Sequence, residues 1–298
     1  MMRVIVTGAN GFVGSSLIKK LIENNCEVLA LDISFSNNIF CNNPLITTLE
    51  TDLSDISTLK NIIESGKYDV FYNFAWQGVN GPQKSMPDVQ LNNILISIKC
   101  AELAHFLKCK KYLCAGTIAE RAVESLPFLK KTNPSLAYAS AKHCCHIMLE
   151  NYCKNIGMPF IWMQFANIYG PNNKTGNLIS YTIQQLKKGL KADFGPANQP
   201  YDFVYINDLI EAVFRLGFYN TKKNFYYIGS NEPRLLKDYL LKIGQEFGRP
   251  ELINIGTRED DGVKYDFSMM DSSITINEIG NYISDSFEEL IKKTIINY

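Results

Sequence analysis

The segment Thr7-Gly8-Ala9-Asn10-Gly11-Phe12-Val13-Gly14 constrains this chain more than any other. An apolar run, Arg3-Val4-Ile5-Val6, precedes it and reads as a buried strand. A helical pattern over 12–24 follows, with Phe12, Val13, Leu17, Ile18, Leu21 and Ile22 at helical spacing. Glycines spaced G-x-x-G-x-x-G let the backbone turn tightly, approach a pyrophosphate and pack the helix closely on the strand. The helix start then offers unpaired N–H groups and a favourable dipole to phosphate oxygens. A merely tight turn would use glycines too. The strand before them and the helix behind them are the context that marks a dinucleotide-binding loop. Gly8, Asn10, Gly11, Phe12, Val13 and Gly14 are therefore candidate cofactor contacts.

Asp32 follows the second predicted strand (27–31), 18 positions after Gly14. A carboxylate there accepts hydrogen bonds from an adenosine ribose and repels a 2′-phosphate. From Leu21 through Leu59 the sequence has no lysine or arginine. A 2′-phosphate is strongly anionic and calls for a nearby cation. The pattern favours NAD(H) over NADP(H).

Further strands are predicted at 45–50, 68–73, 111–115 and 159–164, separated by helical stretches at 54–63, 89–107 and 134–155. That rhythm gives β-α-β units and a parallel sheet. After Pro171 glycine, proline and asparagine become frequent, with helices expected at 178–188, 207–216, 236–247 and 286–296. The expected organisation is a nucleotide-binding domain over 1–168, with returning segments near 201–228, and a smaller substrate-binding lobe over 169–298.

Thirty basic and thirty acidic side chains leave no net charge, so bulk electrostatics gives no case for a nucleic-acid or acidic-membrane partner. No stretch reaches the ~18 apolar residues of a membrane span. The start of the chain lacks the long apolar region of a signal peptide, and a cytoplasmic location is expected. Cys26, Cys41, Cys100, Cys109, Cys114, Cys144, Cys145 and Cys153 contain no C-x-x-C pair and read as free, buried thiols. His143 and His146 have no partners at metal spacing and read as structural, so no metal is expected.

Tyr138 and Lys142 stand four apart on a predicted helix, one turn apart on one face. A tyrosine is a poor proton-transfer group near neutral pH unless its phenolate is stabilised. An ammonium nearby would lower its pKa, and the same lysine could hold a nicotinamide ribose. Thr117, just beyond the fifth strand, offers a second hydroxyl where ligands sit in open α/β sheets. Y-x-x-x-K alone is a common surface pair, and the glycine loop upstream is what gives it weight here.

Taken in order, the glycine loop, Asp32, Asp52-Leu53, Asn73-Phe74-Ala75, Asn92, Thr117, Tyr138, Lys142, Asn167-Ile168-Tyr169-Gly170-Pro171 and the segment from Tyr201-Asp202-Phe203 to Asp208-Leu209 resemble the extended short-chain dehydrogenase/reductases. The branch is the one that acts on nucleotide-linked sugars, and the likeness spans about residues 3–265. It implies a Rossmann-type, doubly wound α/β fold with a smaller C-terminal substrate-binding lobe. Asp52 and Leu53 would hold the adenine. Phe74, Ala75 and Asn92 would belong to the cofactor cleft. Thr117 would bond the sugar oxygen, Tyr138 would transfer the proton, and Lys142 would hold the ribose and tune Tyr138. Asn167 would contact the sugar or its pyrophosphate, and Arg258 would clamp the pyrophosphate with its fork of donors. Trp76, Gln77 and Asn80, on a loop at a strand's C-terminal end, would face the sugar, although a packed loop tryptophan is an equal alternative. Relatives often dimerise through the helices carrying Asn92 and Tyr138, so a homodimer is expected.

Departures from the family pattern narrow the reaction. Ile118 and Ala119 stand where 4,6-dehydratases carry an acid pair, which water elimination needs. Ala119 also stands where epimerase-reductases carry a cysteine. What remains is hydride transfer at carbon 4, by a 4-ketoreductase or by a 4-epimerase that retains its NAD. Gly116 to Glu120 and Trp76-Gln77-Gly78 are more similar to 4-ketoreductases of deoxysugars. A non-catalytic NAD-binding relative is the third alternative. Gln164 and Tyr201 stand where arginines are frequent, which removes positive charge from the expected nucleotide-phosphate region.

Overall fold

Strands made of successive apolar residues need a sheet covered on both faces. The computed structural model describes residues 1–35, 40, 43–129, 133, 135–173, 176–260 and 262–298. Its first half runs β1 (Arg3–Thr7), α1 (Phe12–Glu23), β2 (Glu27–Asp32), β3 (Ile46–Glu50), α2 (Ile56–Ile62), β4 (Val70–Asn73), α3 (Pro87–Phe106), β5 (Lys111–Thr117), α4 (Leu136–Ile156) and β6 (Phe160–Phe165). The second half adds β7 (Asn167–Tyr169), α5 (Leu178–Lys187), β8 (Ala192–Phe194), β9 (Pro200–Tyr201), β10 (Phe203–Tyr205), α6 (Ile206–Phe218) and β11 (Phe225–Ile228). β12 (Arg234–Leu235), α7 (Leu236–Phe247), β13 (Ile253–Ile255), α8 (Ser273–Ile279) and α9 (Phe287–Ile296) complete it.

Seven strands form one sheet in the order β11-β6-β5-β4-β1-β2-β3, and every pairing in it is parallel. Side chains alternate between its faces. Val4, Val6, Val28, Ala30, Tyr72, Leu113 and Met163 pack with α1 and α6. Ile5, Leu29, Leu31, Phe71, Tyr112, Cys114 and Trp162 pack with α2, α3 and α4. This is a Rossmann-type, doubly wound sheet. The strand order reverses between β1 and β4, which opens a crevice at their C-terminal ends.

Packing outweighs capping at the start of α1. No side chain caps it, and a missing cap costs about 1 kcal/mol. Leu17, Ile18 and Leu21 are fully buried, each worth roughly 1.5–3 kcal/mol. The helix can leave its first N–H groups open and still hold.

The C-terminal lobe has its own aromatic core, in which Tyr239 lies 4.7 Å from Phe287 and 5.0 Å from Phe203 between ring centroids. Of the segments expected to return to the large sheet, β11 does so beside β6. The segment near Tyr201 to Ile206 does not: β9 pairs with β12, and β10 with β7. The outer edge of β6 is already taken by β11, so β10 finds its partner in the lobe.

Among the described residues, no helix is long and apolar enough to cross a membrane. Cys26, Cys100, Cys109, Cys114, Cys145 and Cys153 are free and buried, and Cys144 is free and half-buried. Cys41 and Pro134, the expected start of α4, lie outside the described residues.

Candidate active site

β1 hands the chain directly into the glycine loop. Gly8 has φ +63°, and a Cβ there would stand 2.9 Å from the Ala75 nitrogen. On Gly14 a Cβ would stand 2.2 Å from the Gly8 carbonyl oxygen, and on Gly11 3.1 Å from it. Phe12 and Val13 pack on the core behind the loop. The Asp32 carboxylate accepts the Asn10 N–H at 2.8 Å and the Ile33 N–H at 2.7 Å. The Asn10 side chain donates to the Ser34 carbonyl. Each Asp32 oxygen keeps a lone pair for a ribose hydroxyl. A cradle that any Cβ would fill, an uncapped helix start and a carboxylate at the next strand end fit a dinucleotide. Asp52 is exposed after β3 and accepts the Ser54 N–H, while the Leu53 side chain is buried in the core.

The floor of the crevice is a buried chain of hydrogen bonds. Thr7 Oγ1 donates to Asn73 Oδ1 at 2.6 Å, Asn73 Nδ2 to Tyr112 Oη at 2.9 Å, and Tyr112 Oη to the Ser97 carbonyl at 2.9 Å. The Ala75 N–H donates to Thr7 Oγ1. Phe74 stacks between Tyr72 and Phe165.

The loop after β4 is pinned by two side chains of α3. Asn93 accepts the Gln77 N–H and donates to the Gln77 carbonyl, both at 2.8 Å. Gln90 accepts from Trp76 Nε1 at 2.9 Å and donates to the carbonyls of Gly78 and Gln83. Asn92 is exposed, and its neighbour Asn93 is buried. Neighbours on a helix point about 100° apart, and Asn93 is the one turned inward.

β5 ends at Thr117, and the first turn of α4 sets Tyr138 close enough for the Thr117 hydroxyl to act on its pKa. Lys142, one turn on, is buried and donates to the Ala115 carbonyl at 2.7 Å. Its ammonium sits 3.7 Å from the centre of the Trp76 ring. Trp76 in turn meets Tyr138 edge-on at 6.2 Å. Trp76 therefore packs on the lysine and tyrosine of the site. Burial pushes the Lys142 pKa down, partly offset by Cys114, Cys145 and Glu120. Tyr138 does not move the way the sequence suggested. Burial first and the Glu120 carboxylate second push its pKa up, and the Thr117 hydroxyl offsets part of this.

Glu120 escaped the sequence reading. It is buried in the 3-10 segment Ile118–Phe128 and accepts the Thr117 N–H at 2.6 Å, Trp162 Nε1 at 3.1 Å and Gln164 Nε2 at 3.2 Å. Burial pushes its pKa up to about 7. Gln164 Oε1 is buried without a partner, so a flip of that amide would accept a proton held on Glu120. A signal existed, since Thr117-Ile118-Ala119-Glu120 has the spacing of a capping box. His146 stacks flat on Trp162 at 4.9 Å, and burial pushes its pKa down to about 4.

In the lobe, Asn167 Oδ1 accepts from Tyr201 Oη at 3.1 Å, and Asn167 Nδ2 donates to the Asp202 carbonyl. Arg258 donates to Tyr181 Oη at 2.8 Å, with its guanidinium 5.2 Å from that ring. None of these contacts reaches Thr117, Tyr138 or Lys142.

The sequence profile of the NAD dependent epimerase/dehydratase family matches residues 4–229. A putative UDP-glucose 4-epimerase of Methanocaldococcus jannaschii is 27% identical over 266 residues, 86% of this chain and 86% of its own length. UDP-glucose 4-epimerase from Thermotoga maritima, solved with UDP-glucose, superposes with a TM-score of 0.83 at 20% identity, over 99% of this chain and 98% of its own. dTDP-glucose 4,6-dehydratase from Bacillus anthracis, solved in complex with NAD, gives 0.82 at 20% identity, over 100% and 97%. These structural likenesses establish a shared fold.

Proposed function

The chain belongs to the NAD dependent epimerase/dehydratase family, and from that premise we propose that it reduces the 4-keto group of a nucleotide-activated hexose, a 6-deoxyhexose in the favoured case. What supports this reading is Tyr138 on the first turn of α4 beside Thr117 at the end of β5, with Lys142 one turn away, all on strand and helix ends next to the glycine cradle. Gly8, Asn10, Gly11, Phe12, Val13, Gly14, Asp32, Phe74 and Ala75 would hold the dinucleotide, and Asp32 favours NAD(H). When bound, NADH supplies the hydride that the ketone carbon takes up.

The protein's own groups handle the oxygen. The Thr117 hydroxyl holds the ketone oxygen in place. Tyr138, kept protonated by burial, passes its proton to that oxygen as charge develops. Lys142 is fixed by the Ala115 carbonyl and the Trp76 face, and its remaining donor is free for a ribose hydroxyl. Its charge stabilises the phenolate that Tyr138 becomes. Trp76 and Gln77 would flank the sugar, with Asn167 and Arg258 as further substrate contacts.

Dehydration is disfavoured by the geometry. Ile118 is buried and apolar, Ala119 carries no acid, and both Glu120 oxygens are engaged with Thr117, Trp162 and Gln164. A second reading, 4-epimerisation with retained NAD, needs the same side chains and is favoured by the Methanocaldococcus relative. The test follows nicotinamide absorbance with NADH, then NADPH, and a panel of nucleotide-linked 4-keto-6-deoxyhexoses. Stoichiometric loss that Tyr138→Phe abolishes supports the reductase. No loss, with NAD released on denaturation, supports the epimerase.

A further inference from the structure

The 3-10 turn Pro82–Ser85 lays Lys84 over the ring of Tyr138, its Nζ 5.2 Å from the ring centre. The turn is held firmly. The Lys84 N–H donates to the Gly81 carbonyl, and Gln90 grips the carbonyls of Gly78 and Gln83 from α3. Lys84 is half-buried, and burial alone pushes its pKa down, with no carboxylate to offset it. Among the described residues its ammonium has no ion pair and no hydrogen-bond acceptor. Lys20, Lys60, Lys99, Lys111 and Lys242 are half-buried as well and each reaches a carboxylate or carbonyl oxygen, while Lys237, half-buried on α7, reaches none and is not among the site's residues.

An ammonium partly shielded from water and without an anionic partner loses some hydration that no ion pair compensates. A tyrosine face compensates only a small part of that cost. The Lys84 stem lays its ammonium over the site's tyrosine while that ammonium keeps some access to water. The other cations named for the site already have partners in the fold, Lys142 in Ala115 and Trp76, Arg258 in Tyr181. Lys84 is thus a positive charge without an anionic partner, set over the ring of Tyr138.

We propose that Lys84 is an anion receptor at the sugar end of the substrate. It takes an anionic oxygen either from a carboxylate on the sugar ring or from the phosphate next to the sugar. The inference rests on the nucleotide-sugar reading above and adds the charge that the sugar end presents.

The experiment is isothermal titration of the NAD-loaded protein with glucose and glucuronate linked to UDP, dTDP, CDP and GDP. Lys84→Met keeps the stem and removes the charge, and Lys84→Arg restores the charge. Lys84→Met should weaken binding roughly tenfold to a hundredfold, Lys84→Arg should recover most of it, and affinity for NAD should stay unchanged. A loss confined to the glucuronates assigns the carboxylate. An equal loss for glucose and glucuronate assigns the phosphate. Equal binding by wild type and Lys84→Met would overturn the inference and leave the functional reading standing. No nucleotide sugar bound by the wild type would overturn both.

Discussion

A methyl group at position 14 has nowhere to go. It would stand 2.2 Å from the Gly8 carbonyl oxygen, which is backbone and is itself fixed by the φ of +63° at Gly8. Gly14→Ala should raise the Kd for NAD at least ~10-fold and destabilise the fold by about 1–3 kcal/mol. Gly11→Ala meets the same oxygen at 3.1 Å, a few tenths of an ångström of adjustment, and should be the milder of the two. NADH fluorescence titration and thermal melting rank them, and the reverse order would sink the cradle geometry. Tyr138→Phe tests a different property. The ring and its packing against Trp76 remain, so NAD affinity should hold while turnover falls by roughly 10²–10⁴. A variant that keeps its turnover would remove Tyr138 from proton transfer.

The turn that follows β5 carries a pH dependence of its own. Burial raises Glu120 from an ordinary 4.5 to about 7, so the fold favours its protonated form. The stability this gives is complete below the ordinary value and is lost as the pH rises through about 7. His146, stacked near Glu120, runs the other way. Burial lowers it from 6.5 to about 4, so its contribution is complete above 6.5 and is lost as the pH falls through about 4. The two slopes oppose each other where they overlap. Glu120→Gln removes one of them. Relative to the parent, it should gain on the order of 3 kcal/mol as the pH rises from about 4.5 to 7, read as the difference between two melting series. A constant difference across that range would mean that Glu120 is ionised throughout. Legibility also divides at this scale. The glycine loop, and Tyr138 with Lys142, were readable because fixed spacing on one strand end and one helix face carries the information. Which of Asn92 and Asn93 turns inward was not readable, because only the rotation of α3 decides it. Strands β7 to β10, at two or three residues each, are too short to show a period. Two of the partners of Glu120, Trp162 and Gln164, come from a strand more than 40 positions away, and only the fold brings them together.

Among the described residues, nothing covers the outer side of the α3–α4 layer. α3 and α4 send Ile94, Cys100, Ala141, Cys145 and Leu149 into the same core beneath the sheet, so their outer faces look out together. Those faces carry Leu91 at 61% and Leu95 at 59% exposure, with Ile147 and Met148 about half exposed. Exposed leucines one turn apart on one helix are more than scattered apolar residues. At 20 and 21 residues, each helix is about 30 Å long. Two such helices side by side offer roughly 600 Å² per partner, at the lower end of what a specific dimer buries. We propose that this face joins two copies of the chain. Because α4 also carries Tyr138 and Lys142, association would hold the catalytic helix from its outer side. Sedimentation at micromolar concentration should give a dimer. Leu95→Glu, which places a charge at the centre of the face without touching the core, should give a monomer with NAD affinity intact. A wild type that sediments as a monomer would refute the dimer. A Leu95→Glu variant that stays dimeric would move the interface to another surface.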